Sequence, residues 1–348
     1  MGDSIDVGNG GHHPRATGPL AHWPTSPTLS PTVRDVLLAA RRIAPYVLRT
    51  PLERSAALSA ELGVEVWLKL EGQQRTGSFK LRGAINRLLT LSDEARARGV
   101  LTCSAGNHGL GVAEAARLTG IAATIVVPQN ASPAKVEGLR RTGVETLLVG
   151  ADYDEAEAEA PRIAAARGLT FVSPYDDPAV IAGAGTVALE ILLDLPDAGT
   201  IVVPVGGGGL ASGIGVVART LAPDVRTIGV QSGASAAMAA SLAAGAIVPV
   251  ASDPTLADGL AGNIAAGSIT FPLVRQHIER VETVPETAIA AAMLTFLDRH
   301  HLIVEGSGAV GLAALQLGRL ADVPGPFVLI VSGSNVATAT LARLLAER

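Results

Sequence analysis

From Thr32 onward, short β-branched and aliphatic runs alternate with longer Ala-rich stretches of helical periodicity. That alternation restricts the chain to few architectures. Predicted strands cover 64–70, 100–104, 123–127, 145–149, 170–172, 200–205, 227–231 and 327–332. The clearest predicted helices cover 106–120, 132–142, 153–167, 180–193 and 210–221. A helix between two strands is the crossover that lets them lie parallel, so the pattern predicts βαβ units and an α/β fold with mostly parallel sheets. Aromatic residues make up 3% of the chain while apolar residues make up 48%, so the core must be Ala, Val, Leu and Ile. A parallel sheet covered on both faces is built that way.

A length of 348 residues suits two domains or one large one. Four strand–helix units fall between about 100 and 178, enough for a small domain inserted into a larger one. The expected division is 32–99 with 179–348 as the large domain, and 100–178 as a small mobile domain. Residues 1–31 are rich in Gly, Pro, Ser, Thr and His without periodicity, and are read as a disordered N-terminal extension. A metal at His12, His13 and His22 is a weaker alternative to a solvated tail.

A net charge of -5 without blocks of like charge gives no reason to expect nucleic acid or an anionic membrane as partner. Cys103 is the only cysteine, which excludes an intrachain disulfide and a zinc–cysteine cluster and suits a reducing compartment. No run offers ~20 strongly apolar residues, and the N-terminus lacks the apolar core of a signal peptide. The expectation is a cytoplasmic protein.

Three loops carry the chemistry. In Lys69-Leu70-Glu71-Gly72-Gln73-Gln74-Arg75-Thr76-Gly77-Ser78-Phe79-Lys80, a strand runs into a polar turn and Lys80 opens an amphipathic segment. A lysine there can reach a pocket at the sheet's mouth while its backbone is fixed. A Schiff-base lysine is wanted in such a place, provided its amine is desolvated or near other cations. Taken alone, an ordinary solvated lysine is the commoner outcome. Gly206-Gly207-Gly208-Gly209 follows a strand and opens a helix, so successive N–H groups and the helix N-terminus can hold a phosphate. A flexible loop and a dinucleotide site are the alternatives, since Gly206, Gly208 and Ala211 fit G-x-G-x-x-A. The next strand, however, ends in Gln231 rather than the acidic residue that binds ribose. Ser104-Ala105-Gly106-Asn107-His108 also joins a strand to a helix; it suits a substrate carboxylate, or a plain N-cap.

The run with Lys69, Glu71, Gln74, Thr76 to Lys80, Arg82, Gly83 and Ala84 resembles the signature of fold-type II pyridoxal-phosphate enzymes of the serine/threonine dehydratase and serine racemase family. The likeness extends from about 33 to about 345. It implies the tryptophan synthase beta-like arrangement, two doubly wound domains with the cofactor in the cleft between them. It implies pyridoxal 5'-phosphate bound covalently to Lys80, Phe79 against the cofactor, Gly206–Gly209 around the phosphate, Asn107 on the ring hydroxyl, Ser332 on the pyridine nitrogen and Glu305 near the ring. Glu305 as a surface or helix-capping residue is the alternative. A hydroxyl cannot hold the ring nitrogen protonated as a carboxylate would, which makes a weaker electron sink and favours elimination. The resemblance further implies that Ser104, Ala105, Gly106, Asn107 and His108 bind the substrate, with His108 structural rather than a base. Tyr175 and Leu110 are expected near the substrate side chain, with core packing as the equal alternative.

Departures from the pattern sharpen this reading. Serine racemases have a second serine, their acid–base group on the opposite face, where this chain has Ala105, so racemisation is disfavoured. Gln231 and Ala237 stand where relatives place acidic cation ligands, so no metal site is expected. Ala184 and Leu110 replace frequent glutamines and predict a more apolar pocket. With the chain ending soon after Ser332-Gly333-Ser334-Asn335 and one helix, no regulatory domain and no feedback by isoleucine are expected. The expected activity is elimination of water and ammonia from a small-molecule 3-hydroxy amino acid such as L-threonine or L-serine, by a homodimer. A bulkier phenylserine-like substrate, a racemase, a β-replacement synthase and a non-catalytic cofactor-binding protein are the alternatives.

Overall fold

The computed structural model describes residues 30–348. Residues 1–29, with His12, His13, His22 and most of the expected extension, lie outside the described residues. In chain order the strands are β1 (Leu52–Arg54), β2 (Val66–Lys69), β3 (Val100–Cys103), β4 (Ala123–Val127), β5 (Glu145–Leu148), β6 (Thr170–Phe171), β7 (Thr200–Pro204), β8 (Arg226–Ser232), β9 (Arg280–Val284) and β10 (Phe327–Ile330). They form a six-stranded sheet ordered β1-β2-β10-β7-β8-β9 and a four-stranded sheet ordered β5-β4-β3-β6. Every pairing is parallel except β1 with β2.

The register shows how both faces are covered. Successive side chains of a strand point to opposite faces. Phe327 pairs with Val66, and Leu329 with both Leu68 and Val202, so one apolar row crosses three strands. That row packs on helices Glu286–His300 and Gly306–Gln316. The opposite row, Ile201, Val203, Val328 and Ile330, packs on helices Val33–Ile43, Pro178–Asp194 and Gly209–Leu221. Each fully buried aliphatic side chain in these rows contributes roughly 1.5–3 kcal/mol relative to exposure. The small sheet repeats the scheme, with Leu101, Cys103 and Val126 against helix Tyr153–Ala166 and Ile125 and Val127 against Val136 and Leu139.

Helix Lys80–Leu89 is wedged between the two layers. Leu81, Ala84, Ile85 and Leu88 bury against Val100, Val112 and Ala115 beside the small sheet. On its other side, a Cβ at Gly83 would lie 2.8 Å from Val180 of the large sheet's helices. The helix that carries Lys80 is therefore packed from both sides.

Two strands escape the sequence pattern. β1 and β9 lie at sheet edges and are polar and part-exposed, so neither shows an apolar run. The strand expected over 327–332 stops at Ile330. Beyond it, Val331 N still donates to Lys69 O of β2, while Val331 O accepts from Gly72 N and Ser332 O from Phe79 N, so the carbonyls turn to the lysine loop. The other predicted elements agree to within two residues at each end. Among the described residues, no helix is long and apolar enough to cross a membrane.

Candidate active site

The carboxyl ends of the parallel strands converge on one cleft, where ligands of open α/β sheets bind. After β2 the chain makes a 3-10 turn, Glu71–Gln73, and reaches helix Lys80–Leu89. Gly77 takes φ +72°, a conformation that favours glycine, and a Cβ there would displace the Asn335 amide, whose Oδ1 would lie 2.6 Å away. Ser78 bridges Gly333, and Ser334 N donates to Gly77 O at 2.9 Å. The lysine loop is thus laced to the segment following β10.

Lys80 Nζ donates to Pro174 O at 2.9 Å and lies 5.2 Å from the Phe79 ring centroid. Burial pushes its amine down to about 8, while the charge of Glu305 opposes the shift. Pro174 leads into Tyr175, whose ring covers the glycine loop: a Cβ at Gly207 would fall 2.5 Å from Tyr175 Cγ, and one at Gly209 2.9 Å from Tyr175 Cα. Gly208 has φ +89° and caps helix Gly209–Leu221. Among the described residues, the N–H groups of Gly206, Gly207 and Gly208 find no acceptor. A turn without side chains, with free N–H groups at the start of a helix, fits a phosphate.

The Ser104–His108 loop faces the same cleft. Gly106 N donates to Ser104 Oγ at 3.2 Å, and the space about a Gly106 Cβ is open. Asn107 Nδ2 donates to both oxygens of Glu305, at 2.8 and 3.0 Å. Asn335 Nδ2 donates to Asn107 Oδ1 at 2.7 Å and to Thr76 O at 2.8 Å. Glu305 opens helix Gly306–Gln316, and burial raises its carboxyl to about 7 although the Asn107 bond lowers it. A Cβ at Gly333 would meet Glu305 Oε1 at 2.3 Å, so a side chain there would displace the Glu305 carboxyl. Ser332 is buried, with its carbonyl on Phe79 N. A cavity of about 450 Å³ runs outward from Glu305 and Asn335 to Lys135 and Asp258, which pair at 2.7 Å across the cleft.

His108 is buried with Nε2 3.3 Å from Val172 O and Nδ1 without a partner. Burial, then the charge of Lys80, depresses its imidazole to about 3, so it is neutral. Leu110 and Ala105 pack on the core of Ile125, Val127 and Leu139, and Tyr175 OH accepts from Ala265 N at 3.0 Å. Ala184 is buried in the core with Val36 and Ile214 and does not widen the cleft.

Glu190 carries no sequence signal, although the Arg82, Glu71 and Lys69 of its cluster lie in the signature run. Arg82, fully buried, donates to Glu71 at 2.8 Å through both Nε and Nη2 and to Glu190 at 2.6 and 2.9 Å; Lys69 Nζ shares Glu190 at 2.5 Å. This compensated cluster anchors the segment bearing Lys80. Asn335, Asp176, Ser268 and Thr270 were likewise invisible, being ordinary polar residues distant in sequence. Among the described residues, no cluster of His, Cys, Asp or Glu has metal-ligand geometry, and Gln231 Oε1 accepts from Ala239 N.

A desolvated lysine, a side-chain-free glycine turn and an amide–carboxylate pair share one cleft, a set of groups that suits a phosphorylated carbonyl cofactor. Residues 43–333 match the family model described as pyridoxal-phosphate dependent enzyme. The chain is 45% identical over 315 residues to L-threonine ammonia-lyase of Thermotoga maritima, covering 90% of this chain and 78% of that one. It is 38% identical over 314 residues to L-threonine dehydratase catabolic TdcB of Escherichia coli, covering 90% and 95%. The solved structure of maize serine racemase superposes with a TM-score of 0.85 at 37% identity, covering 92% and 98%. The chain belongs to the pyridoxal-phosphate-dependent enzyme family, fold type II.

Proposed function

We propose that this protein is an ammonia-lyase that converts a 3-hydroxy amino acid, L-threonine first and L-serine second, into a 2-oxo acid and ammonia. The observation that carries the reading is Lys80. Its amine, at about 8, sits beside the glycine cup and near the Asn107–Glu305 pair. When bound, pyridoxal phosphate supplies the electron sink for charge developed at the substrate α-carbon. Gly206–Gly209 would hold its phosphate, Asn107 its ring hydroxyl and Ser332 its ring nitrogen.

The chain's own residues supply the rest. The N–H groups following Ser104 receive the substrate carboxylate at the start of helix Asn107–Thr119. Lys80 takes the α-proton; an amine near 8 is neutral often enough at neutral pH to act as base and still returns the proton. Glu305 keeps Asn107 in place through two bonds to one amide nitrogen. Ala105 has no proton to deliver to the opposite face, which supports elimination over racemisation. The β-hydroxyl leaves as water with the proton that Lys80 carries, and hydrolysis of the released enamine consumes one water and yields the 2-oxo acid and ammonia.

We extend the proposal to a small domain, 100–178, that closes on the remainder through the Asn107–Glu305 and Lys135–Asp258 contacts. Cytoplasmic residence and a homodimer belong to the same reading. An apolar groove beside Leu37, Leu193 and Leu221, all well exposed, supports self-association.

The experiment is turnover of L-threonine, L-serine and phenylserine, with 2-oxo acid and ammonia measured together. Equal amounts from L-threonine are expected. Keto acid from none of the three rejects the lyase, and turnover that needs an added nucleophile points to a β-replacement synthase.

A further inference from the structure

Behind the glycine cup lies a chain of oxygens that the proposed reaction does not use. Thr270 Oγ1 donates to Gly207 O at 2.6 Å. Ser268 Oγ lies 2.8 Å from Thr270 Oγ1 and 2.9 Å from Asp176 Oδ1. Ile269 N also donates to Asp176 Oδ1 at 2.9 Å, Thr270 N donates to Ser268 Oγ at 3.2 Å, and Asp176 Oδ2 is buried without a partner. Ser268 and Thr270 are themselves buried.

The Gly207–Gly208 peptide is trans, so its carbonyl and its N–H point in opposite directions. Flanking glycines leave that peptide free to rotate, and Gly208 already adopts φ +89°. A donor fixed on Gly207 O therefore also fixes where Gly208 N–H points. We propose that Asp176, Ser268 and Thr270 form a positioning relay that locks the Gly207–Gly208 peptide with its N–H turned into the phosphate cup. This rests on the reading of Gly206–Gly209 as the cofactor's phosphate site.

Proton counting gives the relay a direction. Three oxygen–oxygen contacts need three protons, and two hydroxyls supply two. The third sits on the Asp176 carboxyl. The acid donates to Ser268, Ser268 to Thr270, and Thr270 to Gly207 O. Burial independently pushes Asp176 towards its neutral form.

The test compares pyridoxal phosphate with pyridoxal, which lacks the phosphate, by absorbance titration of protein stripped of its cofactor. Wild type, Thr270→Val, Thr270→Ser, Asp176→Ala and Asp176→Asn are measured. A wild type with no preference for pyridoxal phosphate rejects the phosphate site itself. Given that preference, Thr270→Val is expected to raise the pyridoxal phosphate Kd roughly 10- to 100-fold, the worth of one charge-assisted hydrogen bond, and to leave pyridoxal within about twofold. Thr270→Ser keeps the hydroxyl and restores binding. Asp176→Ala follows Thr270→Val, whereas Asp176→Asn, neutral and still a donor, retains affinity. Equal losses for both ligands, no loss in Thr270→Val, or no loss in Asp176→Ala would each overturn the relay.

Discussion

Glu305→Gln should change how the stability of the cofactor-free protein responds to pH. Burial holds the Glu305 carboxyl near 7 in the folded chain against 4.5 when unfolded. Between those values the folded protein keeps a proton that the unfolded chain has released. The stability contributed by the neutral carboxyl is thus full below about pH 4.5 and is lost as pH rises through about 7. At 1.36 kcal/mol per pH unit, the interval from 4.5 to about 7 is worth about 3 kcal/mol. A glutamine carries no such term, and its carbonyl still accepts from Asn107. The measurement is urea unfolding of both proteins at pH 4.5 and pH 8. Lys80 feels the Glu305 charge, so both proteins are compared in a Lys80→Ala background; the remaining titrating groups then act alike on both, and the difference isolates position 305. The variant should gain about 3 kcal/mol on its parent between the two pH values. A gap constant to within about 1 kcal/mol would mean that Glu305 ionises as it does in water, and the desolvation argument would fail.

Two other perturbations probe the surroundings of Lys80. Arg82→Met leaves Glu71 and Glu190 with only Lys69 for compensation and should cost about 3–5 kcal/mol in urea unfolding; a loss under about 1 kcal/mol would show that these carboxylates are not desolvated. Ala105→Ser offers a proton donor beside the substrate loop, so chiral analysis after incubation with L-serine should detect D-serine where wild type forms none. Its absence in an otherwise active variant would show that residue 105 does not decide between elimination and racemisation.

The fold was readable because strands buried on both faces must be continuously apolar. All five residues of β7 are buried, and the run stands out in the sequence. β9 has one covered face and one wet edge, so Arg280-Val281-Glu282-Thr283-Val284 looks like loop until its pairing with β8 is known. The same distinction governs the site. Lys80, the four glycines and the Ser104–His108 loop are legible because each geometry is local, a strand end turning into a helix. Glu190 lies 108 residues beyond the Arg82 it neutralises, and Asn335 lies 228 residues from Asn107. No pattern within either segment marks these partners. Ala184 illustrates the converse: small residues line pockets and helix contacts alike, and here a Cβ on neighbouring Gly185 would fall 2.8 Å from Gly213 O, the signature of two helices in close contact.

Where local rules are broken follows from what the cleft must hold. Buried polar atoms in a folded core almost always find partners, since leaving one unmet costs about 1–3 kcal/mol. Among the described residues, Thr76, Ser78, His108, Asp176, Ser212 and Ser307 each carry one that does not. Thr76 and Ser78 flank the turn before Lys80, His108 follows Asn107, Asp176 follows Tyr175, Ser212 lies in the first turn after the glycine cup, and Ser307 follows Glu305. Such atoms of Arg87, Arg96, Gln231 and His277 lie elsewhere, but the six named sit on the segments around one lysine, where polar groups are kept at a cost to folding stability. The compensated charges of Arg82, Glu71, Glu190 and Lys69 lie directly beneath and anchor the segment on which that tension falls. Stability and chemistry therefore occupy adjacent layers of the same segment. Substitutions at Arg82 should show first as unfolding, and substitutions at Ser78, two residues before Lys80, should leave stability unchanged or improved while binding is lost.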